Sequence, residues 1–199
     1  MEDSLRTGNL APRLRLFSGR ILDRRNENAT GFVENQIAEA VRYFNGEYGC
    51  RVFNLSFGDF DKPYQGKHLK GLSYILDTLT RELGVLFVVS AGNVIGSQLD
   101  GLAWRQRYPA YLTEPEWAIV EPAPALNVLT VGSLARYDRT FNNQRYAGDA
   151  LGNAGGPSVI RPSPFTRHGP SVAGAIKPEL VPLRRQLGGQ RPGGSRPAG

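Results

Sequence analysis

An amphipathic helix pattern followed at once by an apolar strand pattern, between residues 69 and 93, constrains this chain most strongly. Leucine and isoleucine recur at helical spacing from Leu69 to Leu83, and Gly84 is the residue type that commonly ends a helix. The next run, VLFVVS at 85–90, contains no charged residue. A strand without a polar face is typical of a parallel sheet that is covered on both sides. Together the two patterns predict an α/β fold.

The rest of the chain repeats this alternation of helix and strand patterns. Residues 33–44 place apolar side chains on one helical face, and the sequence NGEYG at 45–49 supplies residues that end helices. Strand patterns occur in RVFNLSF at 51–57 and NVLTVGS at 127–133, and RLRLFSGRIL at 13–22 alternates as a strand does. The sequence thus predicts a mostly parallel sheet with helices on both faces.

Much of the net positive charge comes from the end of the chain. The formal net charge is +6, but residues 182–199 hold four arginines and no acidic residue. This stretch is rich in proline and glycine and poor in apolar residues, so we predict a folded domain at 1–180 and a disordered tail at 181–199. A weak contact between the tail and a polyanion is the alternative. For the folded part we expect no nucleic-acid partner.

Membrane, secretory and disulfide-bonded classes are disfavoured by the composition. No stretch approaches the roughly 18 consecutive apolar residues of a membrane helix, and the polar start MEDSLRTGNLAPR lacks the apolar centre of a secretory signal. We therefore expect no membrane partner and leave the compartment open. Cys50 is the sole cysteine, which excludes an internal disulfide, and we expect it to be a small buried apolar residue.

Two predicted strands are followed by loops of small and polar residues, SFGD at 56–59 and SAGN at 90–93. In open parallel sheets, ligands bind just beyond the carboxyl ends of the strands. Small residues let a bound backbone approach closely, and the Asn93 side chain adds an N–H donor. The alternative is that Asn93 caps a helix or adopts a left-handed turn. From SAGN alone, this alternative is favoured.

Five stretches carry more information in their order than any one of them does alone. They are GNLAPRLRLFSGRIL at 8–22, VFNLSFG at 52–58, GVLFVVSAGN at 84–93, NVLTVGSL at 127–134 and SPFTRHGPSVAGAIKPEL at 163–180. Each resembles a motif of the subtilisin-like serine peptidases, the subtilases, and the order is the same. The resemblance implies a subtilisin-like α/β fold and, as the family activity, hydrolysis of peptide bonds.

The resemblance also implies roles for six residues. Asn93 occupies the position of the asparagine that donates to the oxyanion, the negatively charged oxygen that forms during acyl transfer. Five residues are expected to bind substrate, along the edge that pairs with the peptide backbone (Ser56, Phe57 and Gly58) and in the wall of the pocket for the residue before the cleaved bond (Ala91 and Gly92). The implied partner is a peptide or protein substrate.

The catalytic triad of this family is not recognisable in the sequence. The family uses an early aspartate, a histidine in H-G-T and a serine in G-T-S-x-A. His68 and His168 both lack the H-G-T context, and we expect neither to be catalytic. Ser171 lies in GPSVA, but Pro170 replaces the threonine, and KPEL follows at 177–180 where the family's corresponding motif precedes the serine. We therefore expect Ser171 to be structural and the chain as written to be inactive by itself.

These departures predict a fold that is incomplete at both ends. The aspartate and histidine segments precede the first matching stretch in the family. Near Val181 the sequence changes to an Arg/Pro/Gly-rich type, which translation of a GC-rich gene in the wrong frame can produce, and our hypothesis is a frame change at this point. Three interpretations remain open: the central part of a serine endopeptidase, a non-catalytic peptide-binding module or inactive remnant, and a fragment that folds poorly. We expect no cofactor and no metal, because no loop clusters acidic residues at calcium-binding spacing.

The stretch 95–124 is rich in large aromatic residues, among them Trp104, Tyr108, Tyr111 and Trp117. In this family context such residues either contribute to substrate preference or pack in the interior. Interior packing is the commoner fate of tryptophan and tyrosine, and it is our expectation here.

Overall fold

The fold is organised around a parallel sheet and two long helices. A computed structural model describes residues 15–21, 33–94, 98, 102–135 and 161–181. The described α-helices are α1 (Val33–Tyr48), α2 (Gly71–Leu83) and the short α3 (Trp104–Arg107), and short 3-10 helices span Ala110–Thr113, Pro115–Trp117 and Val172–Gly174. The strands are β1 (Val52–Leu55), β2 (Asp59–Pro63), β3 (Leu86–Ser90), β4 (Val120–Glu121), β5 (Leu129–Val131), β6 (Leu134–Ala135) and β7 (Arg161–Pro162).

Strand β3 is the centre of the parallel sheet, whose order is β1–β3–β5. Strand β1 pairs with one edge of β3, with Leu55 opposite Val89, and β5 pairs with the other edge, with Val131 opposite Ser90. Both pairings are parallel, whereas β2–β4 and β6–β7 are small antiparallel pairs. The predicted α/β fold with a mostly parallel sheet is confirmed.

Both long helices pack on one face of this sheet. Along β3 the side chains alternate, so Phe87 and Val89 are buried against the helices while Leu86 is 42% exposed. The buried core draws on both helices, the sheet and the segment before β5: Ile37, Val41, Leu72, Leu76, Leu79, Val85, Phe87, Val89, Ala91, Ile119, Ala123, Ala125 and Val128. The sequence predicted helices on both faces; in the described ranges, the two long helices cover the Phe87 face.

Helix α2 ends where the glycine in its sequence predicts. Gly84 has a left-handed backbone (φ of 63°), and its N–H donates to the Thr80 carbonyl at 3.0 Å. This conformation reverses the chain after the last helical turn at little steric cost, because glycine has no Cβ. Strand β3 therefore begins two residues later and runs beneath the helix that precedes it.

Residues 15–21 differ from the prediction, which placed a strand over 13–22. The described residues form no strand; the segment lies against α1, where the Phe17 ring stacks on the Tyr48 ring with 4.5 Å between centroids. A cavity of about 620 Å³ lies between this segment, α1 and β1. The strand prediction is wrong here because an alternating sequence becomes a strand only when another strand pairs with its backbone.

The aromatic residues of the 95–124 stretch form a second, smaller core, as expected. Trp104, Tyr111 and Trp117 are buried together with Val94, and the rings of Tyr111 and Trp117 meet edge to face. The Tyr111 hydroxyl donates to the carbonyl of Pro164, which connects this core to the 161–181 segment. The expectation of interior packing is therefore confirmed for these residues.

Two smaller expectations concern burial and membrane association. Cys50 is half-buried, so the expectation of a buried cysteine is wrong; it lies at the turn into β1, where its carbonyl accepts a hydrogen bond from Asn45 Nδ2. Within the described ranges, every helix falls short of the length and hydrophobicity that a membrane span requires.

The 161–181 segment is attached to the outer edge of β5 by a buried lysine. The Lys177 side chain is 1% exposed, and its Nζ donates to the Val128 carbonyl at 3.0 Å and to a Glu179 carboxylate oxygen at 2.5 Å. The other Glu179 carboxylate oxygen accepts from Thr130 N at 2.7 Å, and Gly132 N donates to the Leu180 carbonyl. These contacts hold in place the segment that also reaches the loop after β3.

Candidate functional site

The loops after β1 and β3 lie side by side beyond the carboxyl ends of these strands. Because Leu55 pairs with Val89 in a parallel register, Ser56–Gly58 and Ala91–Asn93 leave the sheet at the same edge. Asn54 Nδ2 donates to Ser56 Oγ at 2.8 Å within the first loop. The structure thus brings together the two stretches in which the sequence placed its candidate site residues.

Val120 fills the space between the two loops. A Cβ added to Gly58 would lie 2.8 Å from Val120 Cγ2, and one added to Gly92 would lie 2.5 Å from the same methyl carbon. Val120 itself is 0% exposed. The two glycines therefore let the loops approach a shared side chain that the sequence analysis did not select. Its apolar neighbours gave no pattern that singled it out.

The turn at residues 91–94 exposes a single side chain. Ala91, Gly92 and Val94 are buried, whereas Asn93 is exposed. The left-handed conformation of this turn belongs to Gly92 (φ of 94°). The alternative reading of Asn93 as the left-handed residue is therefore not what the structure has. The Asn93 side chain is therefore exposed in the turn that follows β3.

Segment 165–168 supports this turn from the other side. Asn93 forms an antiparallel bridge with Thr166, and Val94 N donates to the Phe165 carbonyl at 2.7 Å. The same segment reaches the chain before β4, because Ile119 N donates to the His168 carbonyl at 3.0 Å. It therefore connects the Asn93 turn with the stretch that carries Val120.

Arg167 lies inside this connection and is 1% exposed. Its Nε donates to the Asn93 carbonyl at 3.1 Å, and its Nη1 donates to the carbonyls of Glu116 and Ala118 at 3.1 and 3.0 Å. Burial lowers the pKa of the Arg167 guanidinium from its ordinary value, because the charged form loses hydration. Arg167 could not be identified from the sequence, since arginine is mostly exposed in proteins and nothing in the local pattern indicates its burial.

The three residues examined as catalytic candidates have separate environments. Ser171 is buried and its hydroxyl donates to the Pro124 carbonyl. His168 is half-buried, with Nδ1 3.0 Å from the Gly169 carbonyl oxygen, and His68 is exposed at the rim of a cavity of about 290 Å³. A hydroxyl whose proton is given to a backbone carbonyl is not activated by a base, so these contacts agree with a structural Ser171.

Comparison with known proteins adds a family match and one relative. A model of the subtilase family, peptidase S8, matches residues 3–182. The uncharacterized protein y4bN of Sinorhizobium fredii (strain NBRC 101917 / NGR234) is 38% identical over 154 residues, which are 74% of this chain and 34% of that protein. The chain therefore spans about a third of the length of this relative.

Proposed function

Since the chain belongs to the subtilase family, we propose that it supplies the substrate strand and the oxyanion donor of a subtilisin-like serine endopeptidase. One observation carries this proposal: Ser56–Gly58 and Ala91–Asn93 lie side by side at the carboxyl edge of the sheet, with Asn93 exposed between buried neighbours. An extended peptide along the first loop has its carbonyl groups close to the second.

The proposed role of Asn93 follows from the chemistry of acyl transfer. Attack on a peptide carbonyl places negative charge on its oxygen, and a positioned N–H donor stabilises that charge in the transition state. In subtilisin, from which this magnitude is taken, loss of the asparagine donor lowers turnover by about 10²-fold to 10³-fold. Here the Asn93 side-chain amide would be that donor, and Ser56, Phe57 and Gly58 would pair with the substrate backbone.

The pocket for the residue before the cleaved bond would lie between Gly58 and Gly92, beside Ala91. Val120 already occupies the space between the two glycines. Val120 would therefore line this pocket. We propose a peptide or protein substrate and no nucleic-acid or membrane partner.

A non-catalytic peptide-binding module is the second candidate function. It is favoured by Ser171, the one serine in a G-x-S-x-A context, because its hydroxyl is buried and donates to Pro124. The 199 residues hold no H-G-T and no G-T-S sequence. In this second function the loops after β1 and β3 bind an extended peptide as an added strand and no bond is cleaved.

A fluorophosphonate probe tests for an activated serine. We expect no covalent labelling of this chain, because the Ser171 proton is donated to a carbonyl and the 199 residues contain no H-G-T motif with the histidine that activates the serine in this family. Mass spectrometry of the intact protein measures the label, with an active serine peptidase as the positive control. Labelling that disappears in Ser171→Ala would contradict this prediction.

Binding of an extended peptide tests the loop at Ser56–Gly58. Gly58→Val is expected to weaken binding by about tenfold or more, because the added isopropyl group displaces Val120 and blocks the approach of a peptide backbone. The matched control is Gly46→Val on α1, where an added Cβ meets no atom within 4 Å. Calorimetry measures both affinities, and circular dichroism verifies the fold. Equal losses in the two variants would exclude this loop as the binding edge.

The two candidate functions are separated by the coding DNA on either side of this reading frame. Translation of all frames is expected to show the aspartate and H-G-T segments upstream and G-T-S-x-A downstream if the chain is part of an endopeptidase. Confirmed flanks without these segments would leave the peptide-binding module as the function.

A further inference from the structure

Arg167, like Lys177, combines a formal charge with nearly complete burial, but Lys177 pairs with the Glu179 carboxylate, whereas the hydrogen bonds of the Arg167 guanidinium described above involve no carboxylate. Its three hydrogen bonds described above end on backbone carbonyl oxygens, which carry only partial negative charge. Removing a guanidinium from water is costly, and neutral carbonyls compensate less than a carboxylate does. A long apolar side chain would fill the same volume without that cost. The hydrogen bonds to carbonyl groups, and not the packing, are therefore what an arginine provides at this position and a long apolar side chain does not.

The contacts of Arg167 converge on the backbone on both sides of Asn93. Arg167 N donates to the Gly92 carbonyl at 3.2 Å, which holds the peptide plane before the Asn93 Cα. Arg167 Nε donates to the Asn93 carbonyl at 3.1 Å, which holds the peptide plane after it. Because a peptide unit is planar, holding both units sets the two backbone dihedral angles of Asn93. The remaining rotational freedom of Asn93 is then in its side-chain torsion angles.

The far end of the guanidinium contacts a different part of the chain. Nη1 donates to the carbonyls of Glu116 and Ala118, in the stretch that leads to Val120. One rigid, planar group thus spans the turn that carries Asn93 and the stretch that carries the side chain between Gly58 and Gly92. A lysine ammonium is a compact charge and does not reproduce this forked geometry.

We propose that Arg167 is the positioning residue for Asn93: it holds the turn so that the exposed amide points to a fixed place at the sheet edge. This inference rests on the proposed function, in which Asn93 donates to an oxyanion. Arg167 itself does not touch the reacting atoms and acts through the backbone carbonyl of Asn93. A donor that is held in advance needs no reorganisation when charge develops, and this is what makes such donors effective.

The first test compares two forms of one extended peptide, ending in a free carboxylate or in an amide. A carboxylate accepts a hydrogen bond from Asn93 as an oxyanion does, so the wild-type chain should bind the carboxylate form more tightly by about tenfold, the range of a charge-assisted hydrogen bond. Asn93→Ala should remove this preference. Arg167→Met should remove most of it, and Arg167→Lys should restore part of it, and the quantity compared is the ratio of the two affinities within each variant.

The second test observes Asn93 directly by nuclear magnetic resonance and does not depend on the function. Arg167→Met should shift or broaden the backbone and side-chain amide signals of residues 92–94, and Arg167→Lys should return them part of the way. Arg42→Met is the matched control, since it removes an exposed arginine that pairs with Glu82 at 2.8 Å. Its spectrum should be unchanged at residues 92–94.

The outcomes separate this inference from the function on which it rests. Unchanged signals at residues 92–94 in Arg167→Met would overturn the positioning role. A full preference for the carboxylate in Arg167→Lys would also overturn it, because charge without the forked geometry would then suffice. If Asn93→Ala keeps the preference, the oxyanion role of Asn93 fails, and the resonance experiment still decides whether Arg167 holds the turn.

Discussion

Gly92→Ala is expected to lower the free energy of unfolding by about 2–5 kcal/mol. Two effects add: a left-handed backbone costs a non-glycine residue about 1–2 kcal/mol, and overpacking a tight interior site costs about 1–3 kcal/mol. Gly92 has a φ of 94°, and a Cβ there would lie 2.5 Å from Val120 Cγ2 and 3.1 Å from Arg167 Cδ. Urea unfolding followed by circular dichroism measures the change.

Two other glycines separate these effects. Gly84 has a left-handed backbone (φ of 63°) but open space around an added Cβ, so Gly84→Ala reports strain alone, about 1–2 kcal/mol. Gly58 has no positive φ, but its added Cβ would lie 2.8 Å from Val120 Cγ2, so Gly58→Ala reports overpacking alone, about 1–3 kcal/mol. If Gly92→Ala costs no more than Gly84→Ala, the close contact with Val120 does not exist.

Val120→Ala provides an internal check on the same contact. It removes the methyl groups that both added Cβ atoms would meet. The double variant Gly58→Ala with Val120→Ala should therefore be more stable than the sum of the two single changes predicts, by about 0.5–3 kcal/mol, the usual coupling between touching residues. If the stability changes of Gly58→Ala and Val120→Ala simply add, Val120 does not contact the added Cβ and does not lie between the two loops.

Phe87→Ala is expected to lower the free energy of unfolding by about 3–5 kcal/mol, the usual cost of removing a buried phenylalanine ring. Phe87 is 0% exposed at the centre of β3, and its ring centroid lies 5.5 Å from that of Phe53 on the neighbouring strand. Many domains have a total stability of about 5–15 kcal/mol, so this loss is a large fraction of it. Thermal unfolding measured by circular dichroism provides the comparison with wild type.

Leu86→Ala is the matched control, since Leu86 is the neighbouring residue and points to the opposite face of the sheet. Its side chain is 42% exposed, so it loses less buried surface on truncation. We expect a cost of about 1 kcal/mol or less. A similar loss in both variants would mean that α1 and α2 do not cover the Phe87 face. If the wild-type chain shows no cooperative unfolding, the third interpretation, a fragment that folds poorly, would be supported.

The sequence predicted the order of the main elements and the neighbourhood of the site. Helix α2, Gly84 and β3 follow from the spacing of apolar residues and from one residue type that ends helices. The parallel arrangement followed from strands without a polar face, and it brings the loops at 56–58 and 91–93 to one edge. Family membership followed from five motifs in order, and the family match over residues 3–182 supports it.

The sequence predictions were wrong where the secondary structure or the burial of a residue depends on which other segment packs against it. The alternation in 13–22 indicated a strand, but residues 15–21 pack on α1 through Phe17 and pair with no strand in the described part. Cys50 is half-buried although its residue type favours burial. Both outcomes depend on which segment packs against the residue in the folded protein, and the sequence pattern of one segment does not identify the segment that packs against it.

The sequence by itself determined the two long helices and the three strands of the parallel sheet, because apolar periodicity and turn residues act over a few neighbouring positions. Only the tertiary structure decided that Val120 stands between Gly58 and Gly92, and that Arg167 holds the backbone on both sides of Asn93. Gly92 and Val120 are 28 positions apart in the sequence, and Asn93 and Arg167 are 74 positions apart. Their contacts arise from the path of the whole chain, since hydrogen bonds and close packing act over distance in space, whatever the separation in sequence.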